Sequence, residues 1–197
     1  MTPIESLTYT ALNKGPKIFR LAAHVLDDPR FALWTGSSSR YMHHYGQGQL
    51  AQHTREVADL CALNNSYYGH PVNSDLLFLA ALFHDVGKMW DYEPLPPEGE
   101  RKAYQEWQST DHKNKIYHIS RSALVWNSAV AKDGDFLSVE EQDEVLHAIL
   151  AHHGQLIWKS PVTPKSKMAW ILHLSDGISA RLDDCSKEKP KPYEAKT

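Results

Sequence analysis

The stretch AALFHDVGKMW, residues 80–90, constrains the fold most, because it ends a continuous apolar run with two ionisable side chains. Residues 76–83 are all apolar and suit a buried helix, being far shorter than the roughly 20 residues of a membrane span. His84 and Asp85 then occupy positions where further core residues are expected. Moving an unpaired carboxylate into an apolar interior is costly, so Asp85 requires a partner or a metal ion.

The length of the chain favours one domain of ordinary size, and its net charge bears on the partners that it can attract. With 197 residues, 42% of them hydrophobic, we expect a single domain with its core at about 17–183 and a flexible, charged tail at 184–197. A formal net charge of -3 provides no general attraction for nucleic acid, and no DNA-binding module is expected. The absence of a signal-peptide pattern and of paired cysteine spacing predicts a cytoplasmic protein that does not enter a membrane.

Helical periodicity dominates the chain, and no sustained alternation of apolar and polar residues indicates a sheet. We therefore predict an all-α helical bundle. The glycine- and serine-rich segment 35–49 is predicted to be a loop, and the proline- and charge-rich segment 92–102 an exposed loop. The predicted helical segments are 17–28, 50–65, 74–87, 115–131, 138–154 and 165–184.

Histidine is unusually frequent, with 12 His against 5 Phe and 4 Met, and it is the commonest metal ligand in proteins. Taken singly, a histidine on an apolar helix face is more often a core residue bonded to a carbonyl. Burying several such groups without partners would consume most of a domain's net stability of about 5–15 kcal/mol. A shared metal centre would satisfy them together, and five helical segments supply candidates: His53, His84 with Asp85, His118, His152 with His153, and Asp176.

These ligand types also limit which metal ions can bind. Imidazole and carboxylate groups without thiolates suit Mn, Fe, Co, Ni or Zn. Neighbouring helical residues point about 100° apart, so His84 and Asp85 can reach different sides of one ion, or Asp85 can bridge two. Seven side chains are more ligands than one ion needs and are enough for two ions.

Five motifs in order carry a resemblance to a known family: HHYGQGQLAQHT, AALFHDVGK, HIS, ILAHHG followed by SPVTP, and LHLSDGISAR. Over roughly residues 20–183 the chain resembles the HD-domain metal-dependent phosphohydrolases, which are helical bundles. It is most similar to the catalytic domain of YhaM-type 3′-to-5′ exoribonucleases. Gln49 and Gln52 depart from that group's leucine and glutamate, and the group's N-terminal OB domain is not expected here, so the resemblance informs the chemistry more than the substrate.

The resemblance implies a dinuclear centre. One ion would be held by His53, His84, Asp85 and Asp176, and the second by His118, His152 and His153, with Asp85 bridging. Such a pair of divalent ions polarises a phosphoryl oxygen and generates hydroxide from water near neutral pH. The expected activity is therefore phosphodiester hydrolysis on nucleotides or short oligonucleotides, with Asp85 as the essential catalytic carboxylate.

Further residues are candidates for substrate contact. Lys88 either complements the end of its helix or contacts a phosphate or leaving group, and the motif favours the second. Arg121 lies one turn after His118 and either holds a phosphate or forms a surface ion pair. His43 and His44 either line the substrate cleft or belong to a solvated loop. The histidines read as structural or surface residues are His24, His70, His112, His147 and His173.

Three alternatives remain open from the sequence. The chain could degrade longer RNA as a 3′-to-5′ exoribonuclease. It could be a mixed-valent di-iron oxygenase that uses the same ligands in the helical bundle. It could also be a non-catalytic nucleotide- or partner-binding module, although the complete ligand set argues against this.

Overall fold

The structure, a computed structural model, describes residues 1–95 and 106–185. Ten α-helices and one short antiparallel ribbon are found in these ranges, which confirms the all-α prediction. The elements are α1 (Pro3–Asn13), α2 (Pro16–Leu26), α3 (Pro29–Leu33), α4 (Gln49–Tyr67), α5 (Ser74–Phe83), α6 (Lys88–Asp91), β1 (Tyr92–Pro94), β2 (Trp107–Ser109), α7 (Asp111–Lys115), α8 (His118–Asp133), α9 (Val139–Ala151), a 3-10 helix (Leu156–Trp158) and α10 (Lys167–Cys185).

Helix α5 is the centre of the bundle. All its residues from Leu76 to Phe83 are buried, and it contacts α2, α4, α8, α9 and α10. Asn73 begins the helix by accepting hydrogen bonds from the backbone amides of Asp75 and Leu76. Because the helix is enclosed on every side, the two residues that follow it, His84 and Asp85, enter the interior of the molecule.

The N-terminal helix α1 precedes the predicted start of the core. A Thr2–Glu5 capping box with Pro3 at the first helical position begins it, and Leu7 and Ala11 join the common core. Pro29, which directly follows the predicted helical segment 17–28, begins the short helix α3. Both differences follow from proline's fixed φ, which suits the first turn of a helix.

The predicted loop at 92–102 contains a strand that the pattern did not indicate. Tyr92 pairs with Ser109 in the antiparallel ribbon of β1 and β2, and residues 96–102 lie outside the described part of the chain. The predicted flexible tail also lies outside it, except that Asp184 and Cys185 end α10. Among the helices described, none combines the length and apolar character needed to cross a membrane.

Candidate metal centre

The first cluster of ligand atoms joins α4, the end of α5 and α10. His53 Nε2 lies 3.1 Å from Asp176 Oδ1 and 3.3 Å from Asp85 Oδ2. His84 Nε2 lies 3.3 Å from His53 Nε2 and 3.5 Å from Asp85 Oδ2. One ligand atom from each of these four residues falls within 4.8 Å of the others, a spacing that can hold one metal ion.

The second cluster joins the beginning of α8 to the end of α9. His118 Nε2 lies 3.4 Å from His153 Nε2, and His152 supplies a third nitrogen within the same 4.8 Å limit. His118 Nε2 and His152 Nε2 each lie 3.5 Å from Asp85 Oδ1. The other oxygen of Asp85 faces the first cluster, so this single carboxylate lies between both groups.

Two atoms at this junction have no hydrogen-bond partner among the described residues. They are Asp85 Oδ1 and His152 Nε2, and both are buried. An unsatisfied buried polar atom costs about 1–3 kcal/mol, and more when the group is charged. Two such atoms facing each other at 3.5 Å fit a cation between them.

Outer hydrogen bonds orient the ring nitrogens toward the clusters. His84 Nδ1 donates to the Ala81 carbonyl, His152 Nδ1 to that of Ile149, and His153 Nδ1 to that of Trp158. Each Nε2 is then left to face its cluster. A hydrogen bond that fixes the tautomer in this way is the usual partner of a metal-binding histidine.

His53 is oriented through a longer chain of hydrogen bonds. Ser179 donates its hydroxyl to Glu56 Oε2 at 2.8 Å, so its oxygen accepts from His53 Nδ1 at 3.0 Å. His53 Nε2 therefore also faces inward. Its close approach to His84 Nε2 places two ring nitrogens with inward lone pairs 3.3 Å apart, an arrangement that a cation stabilises.

Asp91 supports His118 from α6. Its Oδ2 accepts from both the backbone amide and Nδ1 of His118, at 3.1 and 3.0 Å. Its Oδ1 accepts from His112 Nδ1 at 2.8 Å. Burial alone would raise the pKa of Asp91, but the hydrogen bonds from His118 and His112 hold that pKa below its ordinary value.

The pKa shifts of most of these ligands favour the protonation states that metal binding needs, and His53, whose pKa is raised by its carboxylate partners, is the exception. Burial lowers the pKa of His84 and His118, and it lowers that of His153 to about 3, so these rings are neutral. Burial alone would raise the pKa of Asp176, yet the hydrogen bond from His53 and the charges of nearby histidines lower it. Neutral imidazoles and ionised carboxylates are the forms that bind divalent metals.

Two glycines allow the segments to approach closely. A Cβ on Gly87 would collide with the backbone of His118, so this glycine permits the contact between the His84–Lys88 turn and α8. Gly154 adopts φ +79°, and a Cβ there would collide with the ring of His173. That ring donates from Nδ1 to the His152 carbonyl at 2.7 Å, which ties the His152–His153 turn to α10.

A family model described as HD domain matches residues 50–181. The match covers most of the chain and includes every residue of both clusters. This chain belongs to the HD-domain family. No solved structure matches it.

Membership of the HD-domain family implies a metal-dependent phosphohydrolase. The side chains of this HD domain fit divalent metals, because the donor atoms are nitrogens and carboxylate oxygens and two of them are buried without a partner. The seven sequence-predicted ligands are all brought together, in two groups that share Asp85.

Lys88 lies inside the HD domain's polar core. Its Nζ contacts Asp85 Oδ2 at 2.6 Å, and its side chain is buried. Burial alone would lower the pKa of Lys88, but the charge of Asp85 raises it above the ordinary value, so the ammonium is retained. The lysine thus places a positive charge beside the first cluster.

Arg121 lies behind the clusters rather than among the ligand atoms. Its Nε donates to His112 Nε2 at 3.1 Å, and its guanidinium lies over the Trp90 ring at 5.2 Å. The hydrogen-bond chain continues from His112 through Asp91 to His118. These contacts favour a positioning role for Arg121 over the phosphate contact expected from the sequence.

The two loop histidines differ in position. His44 is buried, with Nε2 3.1 Å from Glu56 Oε2, so it supports the chain of bonds behind His53. His43 lines a cleft of about 200 Å³, and burial lowers its pKa to about 2. The cleft is open to solvent and its walls comprise His43, His153, Trp158, His173, Asp176, Gly177 and Arg181.

Several supporting residues were not indicated by the sequence pattern. Ser179 bonds to His53 and Asp91 to His118, and Glu56 in turn accepts from Ser179. These bonds join segments distant in the chain, and no local spacing marks such contacts. His112 and His173 were assigned to the structural or surface histidines. Both are structural, but each is one hydrogen bond from a residue of the centre.

Proposed function

We propose that this HD domain is a phosphodiesterase that hydrolyses nucleotides or short oligonucleotides with two divalent transition-metal ions. The observation that carries the proposal is the position of Asp85, whose two oxygens face two separate groups of ligand atoms. In this assignment His53, His84 and Asp176 complete one site. His118, His152 and His153 complete the other.

Bound ions of this kind supply Lewis-acid polarisation of a phosphoryl group and make a water molecule more acidic. The chain's own residues do the rest. The outer hydrogen bonds hold the imidazoles in fixed orientations, and the buried side chains exclude bulk water from the space around Asp85. Lys88, whose ammonium is held beside Asp85, is positioned to neutralise charge on a phosphate or leaving group near the first cluster.

The walls of the cleft support a nucleotide as substrate. Trp158 borders both the cleft and an adjoining apolar groove that contains Leu174 and Ile178. An exposed indole beside aliphatic side chains offers a face on which a base can stack. His43, which also lines the cleft, supplies a neutral ring for hydrogen bonding, since its pKa is lowered by burial.

The test combines metal analysis with a substrate screen. We expect about two ions per chain after reconstitution with Mn, Fe, Co, Ni or Zn, and hydrolysis of some member of a panel of mononucleotides, cyclic dinucleotides and short RNAs. One ion or fewer would contradict the dinuclear assignment. A rate that rises steadily with RNA length would support the YhaM-type exoribonuclease, and oxygen consumption without hydrolysis would support the di-iron oxygenase.

A further inference from the structure

Two lysines from separate segments lie beside the second cluster. Lys113 of α7 places its Nζ 4.6 Å from the centre of the Tyr92 ring and 3.1 Å from Ser109 Oγ. Lys159, which follows the 3-10 helix, places its Nζ 4.8 Å from the centre of the Tyr117 ring. The Tyr117 ring is itself 4.2 Å from that of His118. Lys113 follows His112, which bonds to Asp91, the hydrogen-bond partner of His118, so both lysines lie near residues that surround the second cluster.

The positive charges in this region are close to one another. Burial lowers the pKa of Lys113, and Lys159 and Lys88 lower it further, while the nearby charge of Asp91 acts in the opposite direction. Asp91 is already bonded to His112 and His118. Within residues 1–95 and 106–185, neither Lys113 nor Lys159 forms an ion pair with a carboxylate. Grouped cations without a carboxylate partner are suited to an anionic ligand.

The backbone of the same segments is held in unfavourable conformations. Tyr117 has φ 70° and ψ 147°, close to a region that glycine alone adopts readily. Lys159 has φ 66° and ψ 19°, in the left-handed region that favours glycine or asparagine. Glycine would be less strained at both positions, so Tyr117 and Lys159 carry a conformational cost that the surrounding structure must offset.

We propose that Lys113 and Lys159 form a subsite for a second phosphate of the substrate, adjacent to the phosphodiester that is cleaved. This inference rests on the proposed function and narrows the substrate class to nucleotides or oligonucleotides that carry at least two phosphates. The lysines supply charge-assisted contacts to the phosphate that is not cleaved. They act in binding, and the groups around Asp85 act on the bond that breaks.

The test compares two dinucleotides that differ by one phosphate, ApA and its 5′-phosphorylated form pApA. For the wild-type protein we expect a KM for pApA about tenfold below that for ApA, the effect of one charge-assisted contact. We expect Lys159→Asn and Lys113→Gln each to remove most of this difference while kcat stays within about twofold. Asparagine tolerates the left-handed backbone at position 159, so the first variant keeps the loop intact.

Lys132→Gln is the matched control, since Lys132 is an exposed lysine at the far end of α8, beside His24 and Asp133. We expect it to retain the full preference for pApA.

Calorimetric titration of the metal-free proteins with pApA and ApA measures binding at the subsite without turnover. A wild-type protein that cleaves both substrates with equal KM, or variants that keep the preference, would overturn the subsite alone. Failure to cleave any panel substrate would overturn the proposed function, and equal affinity of the metal-free protein for both dinucleotides would then overturn the subsite as well.

Discussion

Asp85 is the residue on which the two clusters depend. Its Oδ2 contacts the Lys88 ammonium, and its Oδ1 faces the second cluster with no hydrogen-bond partner in the part of the chain that the structure describes. Burial alone would raise the pKa of Asp85, but the charge of Lys88 and those of the surrounding histidines hold it well below its usual range. The carboxylate is therefore ionised and has one oxygen for each site.

We predict that Asp85→Asn abolishes hydrolysis and lowers the metal content below two ions per chain, because the amide cannot bridge two cations. Elemental analysis and turnover measure the two effects. Asp133→Asn is the matched control, since Asp133 also pairs with a histidine, His24, at 2.7 Å but lies outside both clusters. Comparable losses in the two variants would contradict the role of Asp85.

Loss of the carboxylate also leaves Lys88 buried without its partner, which costs about 3–5 kcal/mol. The double variant Asp85→Asn, Lys88→Met removes both charges and separates stability from chemistry. We predict that its free energy of unfolding returns toward the wild-type value while hydrolysis stays absent. Urea unfolding monitored by circular dichroism measures the first quantity. Recovery of hydrolysis would show that the carboxylate is dispensable.

His112 acts through its neighbours. Its hydrogen bond to Asp91, which in turn holds His118, leads us to predict that His112→Ala weakens metal binding about 10–100-fold, as is usual when a ligand's outer partner is lost. His147→Ala is the control, because His147 accepts from the Lys165 amide away from the clusters. Competition with a chelator measures the affinity. An unchanged affinity would mean that Asp91 alone orients His118.

At the scale of the elements, the sequence predicted the helices whose boundaries and apolar faces are visible in the local pattern of residues. Asn73 begins α5 and the Ser138–Glu141 capping box begins α9. The apolar run of α5 predicted its central position, and the motif histidines predicted the cluster members. The β1–β2 ribbon could not be predicted, because its strands are only three residues each and show no alternation. The contacts of Asp91 and Glu56 depend on how the helices pack, which local spacing does not encode.

The turn between α5 and α6 depends on Gly87. We predict that Gly87→Ala lowers the free energy of unfolding by about 3 kcal/mol and weakens metal binding, since a methyl group would push the turn away from His118. Gly69→Ala is the control, because Gly69 has φ +73° but open space around it, and backbone strain alone costs about 1 kcal/mol. Denaturant unfolding and metal titration measure both variants. Equal losses of stability and metal affinity in the two variants would indicate that backbone strain, and not the collision with His118, causes the effect of Gly87→Ala.

At the scale of the whole molecule, the buried histidines link stability to pH. Burial lowers the pKa of His43, His44, His84, His118 and His153 in the folded protein. Below the unfolded value of about 6.5, the unfolded chain therefore binds more protons than the folded one, and stability falls as the pH falls. His53 acts in the opposite sense, because its carboxylate partners outweigh burial and raise its pKa.

We therefore predict that the melting temperature of the metal-free protein decreases between pH 7.5 and pH 5, since five histidines outweigh one. Differential scanning calorimetry in a chelating buffer measures it. Added metal is expected to raise the melting temperature more at pH 7.5 than at pH 5, because protons compete for the same ring nitrogens. A melting temperature that is constant or rises toward pH 5 would contradict the neutral state of these rings.

The charge distribution of the whole chain also bears on substrate length. A formal net charge of -3 gives no general attraction for a polyanion, whereas Lys88, Lys113 and Lys159 concentrate positive charge beside the centre. Contacts to about two phosphates give a slope of about -1.4 for the logarithm of affinity against that of salt concentration on single strands. We predict this shallow slope, and a kcat/KM that stops rising beyond a few nucleotides. Steady-state kinetics on an RNA length series at several salt concentrations measures both. A kcat/KM that continues to rise with length, together with a steeper salt slope, would show that the chain tracks a long backbone.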